Sequence, residues 1–446
     1  MAKKALLISL GCSKNLVDSE RMLAILEEAG FSLVSDPARA EAIVINTCGF
    51  LEEAVEEAID TILEYARYKE RGVCRVLVVT GCMVQRYGKK LLNLLPEVDL
   101  FLGTAHYDDV AEELVRFLKN GERRLKISSP ACRFEQFRGR ILSTPPSYAY
   151  LKIAEGCSHR CAYCYIPRIR GPFRSRDFED VLREVAYLDG RDVKEVVLVA
   201  QDITSYGLDR RDGGALPRLL KTINATTKNI RWIRVLYAHP ATISDDFLKT
   251  CADLEKVVPY LDVPLQHCVP GILRTMGRSG KALEPGGVVE RIRSLWPGVA
   301  IRTTFIVGYP GETDADFEEL VEFVKAYRFE HLGVFAFSPE MGTKAARMEG
   351  QVSESVRHER RDILYAVQTE ISRSRLATFV NRELPVIVDT EDPEGNFSLI
   401  GRTEWQAPEV DGCVFIENGF TEPGSIVRVR ITGAEDFDLI GEMVDG

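Results

Sequence analysis

Short apolar runs alternating with helically periodic stretches open the chain. Residues 5–10, 42–47 and 76–80 are strand-like, being dominated by aliphatic side chains. Between the first two, residues 16–29 place Met22, Leu23, Ile25 and Leu26 at helical spacing; between the second and third, residues 52–68 do the same with Val55, Ala58, Ile59 and Leu63. The alternation predicts a βαβ series with a parallel sheet. A second series follows, with strand-like runs at 148–154, 195–200, 230–237, 257–263, 301–307 and 332–337 and helical patterns at 178–188, 245–254 and 314–327. Six strands alternating with helices predict a parallel, barrel-like sheet, short of the eight that close a full (β/α)8 barrel. Such an open barrel leaves a lateral gap that suits a macromolecular substrate. A charged helix at about 353–379 leads to a different texture. From Asn381 onward, β-rich runs at 384–388, 398–401, 413–416, 425–432 and 439–443 predict a small five-stranded β-barrel.

The 446 residues are too many for one core. The pattern divides them into an α/β domain at 1–135, a polar, proline-containing linker at 136–147, a partial barrel with its connecting helix at 148–375, and the β-barrel at 376–446. The fold class is multidomain α/β. No window reaches the length of a transmembrane helix, and the first residues carry no signal or transit character. A cytoplasmic location is expected.

Charge changes the picture only at the tail. The chain has 57 Lys and Arg against 67 Asp and Glu. From Leu376 onward there are four basic residues (Arg382, Arg402, Arg428, Arg430) and fifteen acidic ones, a net −11, so residues 1–375 sum to +1 against the total of −10. Small β-barrels that bind nucleic acid need a basic surface, because phosphate neutralisation supplies most of the affinity. This tail argues against direct nucleic-acid binding and for a basic protein partner. An acidic face that serves solubility alone is the other reading.

Eleven cysteines with no secretory signal point to a reducing compartment. Three stand in Gly156-Cys157-Ser158-His159-Arg160-Cys161-Ala162-Tyr163-Cys164. Three thiolates at this spacing can hold three irons of a 4Fe-4S cluster whose normal complement is four cysteines, which leaves one iron open to a small molecule. A structural zinc site needs a second C-x2-C pair that this loop lacks. Three more cysteines each follow a predicted strand beside a glycine, in Gly11-Cys12, Cys48-Gly49 and Gly81-Cys82. Ligands of parallel sheets bind beyond the carboxyl ends of the strands. Cys12, Cys48 and Cys82 therefore suggest a second three-cysteine cluster site, the alternative being buried thiols that pack as small apolar groups. Cys74, Cys132, Cys251, Cys268 and Cys413 have no such spacing and are read as packing residues.

These motifs resemble a known family. Ser9-Leu10-Gly11-Cys12-Ser13-Lys14-Asn15-Leu16-Val17-Asp18-Ser19-Glu20, Asn46-Thr47-Cys48 and Gly81-Cys82 look like the N-terminal domain of the methylthiotransferases. Lys152-Ile153-Ala154-Glu155-Gly156-Cys157, the C-x3-C-x2-C loop with Tyr163 before its last cysteine, and Gly308-Tyr309-Pro310-Gly311-Glu312-Thr313 look like their radical S-adenosylmethionine (SAM) domain. The final barrel resembles the TRAM domain, which in some relatives binds tRNA. Within it, Gln406-Ala407-Pro408-Glu409-Val410-Asp411-Gly412 resembles the RimO-type branch. The resemblance covers essentially the whole chain. Ser13 departs from it, since many members carry proline there; it flanks a ligand without being one.

The resemblance implies two 4Fe-4S clusters and SAM as cofactors. The cluster on Cys157, Cys161 and Cys164, with Tyr163 near SAM, would reduce SAM to methionine and a 5′-deoxyadenosyl radical. The cluster on Cys12, Cys48 and Cys82 would carry the sulfur, methylated by a second SAM. The implied substrate is an aspartate β-carbon of protein twelve of the small ribosomal subunit, a basic protein. That C–H bond is not acidic enough for acid–base chemistry, so a radical from the cofactor is needed. Two other readings stay open: a tRNA adenosine methylthiotransferase, which predicts a basic tail, and an iron–sulfur carrier or redox-sensing ribosome-binding module, which has no use for a barrel. Gln201 and Asp202 either line the SAM pocket or cap the following helix. Gly308 and Gly311 either admit SAM to the backbone or form a tight turn. His159, His239 and His267 are read as structural hydrogen-bonders. The electron donor and the sulfur donor are not readable from the chain.

Overall fold

A computed structural model describes residues 3–130 and 136–444. Among these, one compact unit takes the residues up to Ser143 with Glu155–Arg160 and Cys164–Arg176; a second takes Thr144–Ala154, Cys161–Tyr163 and the residues from Asp177 onward. Cys132 lies outside the described residues.

The first unit is built on a six-stranded, all-parallel sheet. Across the sheet the order is Ser32–Leu33, Lys4–Ser9, Ala42–Thr47, Val76–Gly81, Leu100–Leu102 and Arg124–Lys126. Sequence periodicity foresees the three long strands. The three short ones, of two or three residues, are too brief to carry a period. Alternate residues feed two cores: Val44, Val78 and Leu102 join Met22 and Leu26 on one face, and Ile45, Val79 and Phe101 join Ile62 and Met83 on the other. Burial on both faces is why these strands read as unbroken apolar runs. The strand order reverses between Lys4–Ser9 and Ala42–Thr47, which are parallel neighbours with later strands on one side and Ser32–Leu33 on the other. Such a switch point opens a crevice at the carboxyl ends of the strands. The stretch read as a linker is tied down in this unit. Arg140 is buried against Glu20 at 2.6 Å, and the other Glu20 oxygen accepts the N–H and hydroxyl of Ser143.

In the second unit six parallel strands stand side by side in chain order: Tyr148–Lys152, Glu195–Val199, Trp232–Val235, Val257–Asp262, Ala300–Val307 and His331–Ala336. The first and last are edges of the sheet, as the open barrel predicts. The helix Glu354–Leu376 packs along the last strand and leads to a closed antiparallel-dominated barrel of five strands, Glu383–Glu391, Leu399–Arg402, Val414–Ile416, Leu439–Met443 and Ile426–Ala434. Its interior holds Val386, Val388, Leu399, Val414, Val429 and Ile431.

This small barrel closes the floor of the large one. From the strands of the large barrel, Tyr150 donates to Glu409 at 2.7 Å, Tyr260 donates to Asp411 at 2.6 Å, and Arg234 donates to the Glu404 carbonyl at 2.8 Å. Arg402 reaches back to Glu195 at 2.8 Å. The segment Gln406 to Gly412 is thus absorbed in holding the two barrels together. Among the described residues no helix is long and apolar enough to cross a membrane.

Candidate cluster sites

Cys12, Cys48 and Cys82 meet at the switch point of the first unit. Cys12 ends the loop after Lys4–Ser9 and is the N-cap of the helix Ser13–Glu28; Cys48 directly follows Ala42–Thr47; Cys82 directly follows Val76–Gly81 and opens the helix Cys82–Tyr87. The adjoining glycines make the approach possible. A Cβ on Gly11, whose φ is +89°, would stand 2.7 Å from Cys48 Cβ, and one on Gly49 would stand 2.6 Å from the Met83 backbone. Any larger residue would push the three strand ends apart. Cys74 is at the other end of Val76–Gly81, beyond reach of the crevice, so it adds no fourth thiol.

The thiols feel one another. Burial pushes the Cys82 thiol up to about 12, with the charges of Cys12 and Cys48 adding to the rise and Arg170 opposing it. Burial also raises Cys48, against backbone N–H groups of Phe50 and Gly49. At Cys12 the surrounding protein raises the thiol, but Lys14, Arg170 and the backbone N–H groups of Asn15 and Lys14 outweigh it, and the net shift is downward. A thiolate at a helix N-terminus is favoured in this way. A bound cationic metal reverses the penalty on the other two, because a coordinating thiol is deprotonated outright. Three converging thiols, an adjacent guanidinium and, among the described residues, no fourth cysteine nearby fit a 4Fe-4S cluster with one iron left open.

A buried polar frame carries the triad. Asn15 donates to the carbonyls of Leu10 at 2.8 Å and Thr47 at 3.1 Å, bracing the loops before Cys12 and Cys48. Asn46 donates to the Asn15 carbonyl and to Ser19. Arg170, 3% exposed, donates to Asp18 at 2.7 Å, to Glu155 at 3.3 Å and to the Asn15 side-chain oxygen. Asn15 and Asp18 lie inside the quoted motif. Arg170 sits in an irregular Ile-Arg-Gly stretch with no periodic or motif signal, and sequence reasoning missed it.

The C-x3-C-x2-C loop begins at Gly156, whose φ is +80° and where a Cβ would stand 2.3 Å from the Pro172 carbonyl oxygen. Cys157 donates its N–H to Gly171 at 3.0 Å. Cys157, Cys161 and Cys164 are all partly exposed, Cys157 and Cys164 in the first unit and Cys161 in the second. Ala162 is buried with Met276, Tyr309 and Phe337, and the Tyr163 hydroxyl accepts from Arg278 at 3.0 Å. Arg278 is a further residue that no sequence signal marked.

The remaining predictions resolve one by one. Asp202 precedes the 3-10 turn Ile203–Ser205, yet its carboxylate accepts the hydroxyls of Thr204 at 2.7 Å and Ser205 at 2.5 Å rather than a backbone cap. Gln201 is partly exposed beside it. Gly308 and Gly311 lie in a turn closed by the Glu312 N–H to the Tyr309 carbonyl at 2.9 Å. Gly308 has a packing reason for glycine, since its Cβ would lie 2.2 Å from Arg357 Cγ. His267 is fully buried and accepts the Val269 N–H at 3.0 Å; His239 is half-buried and accepts the Ala241 N–H at 3.3 Å. His159 is half-buried. Cys74, Cys251 and Cys268 are buried, as expected of packing thiols, and Cys413 is half-buried against Asp438.

Gly11→Ala isolates the close approach. We expect it to lower the iron held by this site and to destabilise the unit by about 1–3 kcal/mol through the left-handed φ and the Cys48 contact. Gly30→Ala is the control, because Gly30 has φ +85° with nothing within 4 Å of a built Cβ. Iron content and melting temperature of both variants check this; full iron in Gly11→Ala would contradict it.

Comparison with known proteins agrees with this geometry. Residues 4–103 match the Uncharacterized protein family UPF0004, residues 151–324 the Radical SAM superfamily and residues 380–444 the TRAM domain. A relative from Syntrophobacter fumaroxidans, named ribosomal protein uS12 methylthiotransferase RimO, is 51% identical over 100% of this chain and 99% of its own. One of the same name from Anaeromyxobacter sp. (strain K) is 47% identical over 100% of this chain and 94% of its own. Among solved structures, the radical S-adenosylmethionine methyltransferase TsrM from Kitasatospora setae shares the fold at 14% identity, with a TM-score of 0.56 over 75% of this chain and 73% of its own. The chain belongs to the RimO family of radical SAM methylthiotransferases.

Proposed function

We propose that the protein places a methylthio group on the β-carbon of an aspartate in ribosomal protein uS12, with one 4Fe-4S cluster held by Cys12, Cys48 and Cys82 and a second held by Cys157, Cys161 and Cys164. The observation that carries this reading is the convergence of Cys12, Cys48 and Cys82 on one crevice, in a chain that also has the C-x3-C-x2-C loop. When bound, clusters and SAM supply the carbon-centred radical and the sulfur, chemistry outside the reach of side chains. Tyr163 is assigned to the SAM surroundings as part of the same reading. So are the domain limits 1–135, 136–147, 148–375 and 376–446.

The chain's own groups have definable tasks. Arg170 offsets the charge of the thiolates beside it and keeps Asn15 oriented, so the loops carrying Cys12 and Cys48 hold their spacing. Glu409 and Asp411 tie the small barrel to Tyr150 and Tyr260 of the large one and so fix the strands that frame the site. Glu391, Glu394, Glu417, Glu422, Glu435 and Glu442 remain exposed on the small barrel while Glu409 and Asp411 are used internally. That acidic surface is suited to docking a basic protein. A ribosomal substrate implies a cytoplasmic location.

The test is an anaerobic assay of reconstituted protein with SAM, a reductant and a sulfur source, offering uS12 and total tRNA in parallel with mass-spectrometric readout. The expected result is a methylthio mass gain on an aspartate of uS12. A gain on tRNA adenosine instead would overturn the proposal and the charge argument with it.

A further inference from the structure

Within the second unit a cleft of about 640 Å³ opens at the amino-terminal end of the large barrel, where the strand starts Ala300 and His331 meet the end of helix Glu354–Leu376 and the small barrel. This is the face of a barrel where residues ordinarily serve stability rather than chemistry. The side chains here are unlike a packing seam. Arg293 and Arg375 both line the cleft, and Arg328 stands beside them. Glu330 is the one carboxylate they share, at 3.5 Å from Arg293 and 2.7 Å from Arg375.

The bland account is that the arginines cap the carboxyl end of helix Asp314–Tyr327. Arg293 donates to the Tyr327 carbonyl at 2.7 Å, and the Arg328 carbonyl takes Arg293 at 3.3 Å and Arg375 at 2.9 Å. That account leaves a surplus. Two guanidinium forks carry more N–H donors than these carbonyls and one carboxylate can accept. Three positive charges also face one negative charge, beside a small barrel that carries a net −11. Arg375 records the imbalance. Burial lowers its pKa first, and Arg293 and Arg328 lower it further, against the opposing pull of Glu330.

The opposite side of the cleft is aromatic. Trp405 and Phe379 line it and stack on each other at 5.0 Å with their planes 27° apart. A partly exposed indole beside two guanidinium forks that stay about one-third exposed suits a flat ring on one side and a phosphate on the other, since aromatic side chains stack bases and arginine forks match phosphate oxygens. The volume is within the range of small-ligand sites.

We infer that this cleft binds a nucleoside phosphate, with the base against Trp405 and the phosphate on Arg293 and Arg375. The ligand can be a free nucleotide or a single residue of an RNA strand. The exposed glutamates of the small barrel oppose a long polyanion, so the free nucleotide is the expected form. This site is separate from the cysteine crevices, and its test does not depend on turnover.

The probe is AMP, titrated by calorimetry into the reconstituted holoprotein with SAM at saturation so that the SAM site is filled. Trp405 fluorescence is the second signal, because of the three tryptophans only Trp405 lines the cleft. The expected result is one saturable site, with adenosine weaker by at least about tenfold and Arg293→Gln/Arg375→Gln weaker by a similar factor. Arg375→Lys keeps the charge and loses the fork, so it should weaken AMP severalfold at an unchanged melting temperature; it decides the matter if the double variant unfolds. A short oligoadenylate that binds more tightly than AMP would assign the site to RNA, and weaker binding would assign it to free nucleotide. Absence of saturable binding by AMP and oligoadenylate, or equal affinity in Arg375→Lys, would overturn the inference. So would displacement of AMP by an acidic peptide as readily as by pyrophosphate.

Discussion

Alanine at Cys12, Cys48 and Cys82 together is expected to remove about half of the bound iron, leave SAM cleavage intact and abolish methylthio transfer. Each cysteine set has three members, and the two sets share no residue, so the sites should fill independently. The fold should survive. Cys12 is exposed and Cys48 partly so, and only Cys82 is buried, where loss of a sulfur costs on the order of 1 kcal/mol. The mirror experiment, alanine at Cys157, Cys161 and Cys164, should also remove about half of the iron but stop both SAM cleavage and transfer. Iron analysis, the quantity of 5′-deoxyadenosine and the product mass separate the two variants. Full iron content in the first variant would sink its cluster assignment. Loss of SAM cleavage there would mean that the two sites are not independent.

The part of this site that could be read in the sequence is the part made by short-range chemistry. A strand, a glycine and a cysteine recur three times, and parallel-sheet geometry then brings Cys12, Cys48 and Cys82 to one edge. Residue spacing could not reveal what holds them there. Arg170 touches Asn15 and Asp18 from more than 150 positions away, and nothing in an Ile-Arg-Gly stretch announces a buried guanidinium. The helix after Cys12 shows the same boundary between local and distant information. Apolar periodicity starts it at Leu16, but it begins at Ser13, with Lys14 and Asn15 of its polar first turn buried and Asn15 bonded to the neighbouring loops. The stretch at 136–147 looked like a linker from its prolines and charges. Arg140 is nonetheless one of the most buried cations in the first unit, since its partner Glu20 is 120 positions earlier. In the tail, counting charge foretold an acidic domain without showing that Glu409 and Asp411 are spent on the barrel floor.

Glu195 is where that floor should be most vulnerable. It is fully buried at the start of Glu195–Val199, ion-paired to Arg234 on one oxygen and to Arg402 at 2.8 Å on the other. Arg402 belongs to the small barrel and also grips Asp389 at 2.7 Å, so Glu195 joins the two barrels through a single buried carboxylate. Glu195→Leu leaves two buried guanidiniums without their shared anion. Breaking a buried pair by removing one partner costs about 3–5 kcal/mol, and we expect that loss in urea denaturation at neutral pH, with the small barrel loosening first. Acid should erase much of the difference. Burial raises the Glu195 pKa, but Arg234 and Arg402 more than reverse this and hold it below the usual glutamate range. A depressed carboxylate contributes its full stability above its unfolded pKa of about 4.3 and loses it as pH falls through the folded value. The gap between wild type and Glu195→Gln should therefore be constant from neutral pH down to about pH 5 and shrink below it. A gap that widens with acid, or a Glu195→Leu protein as stable as wild type, would mean that the floor is held by the tyrosine contacts of Glu409 and Asp411 instead.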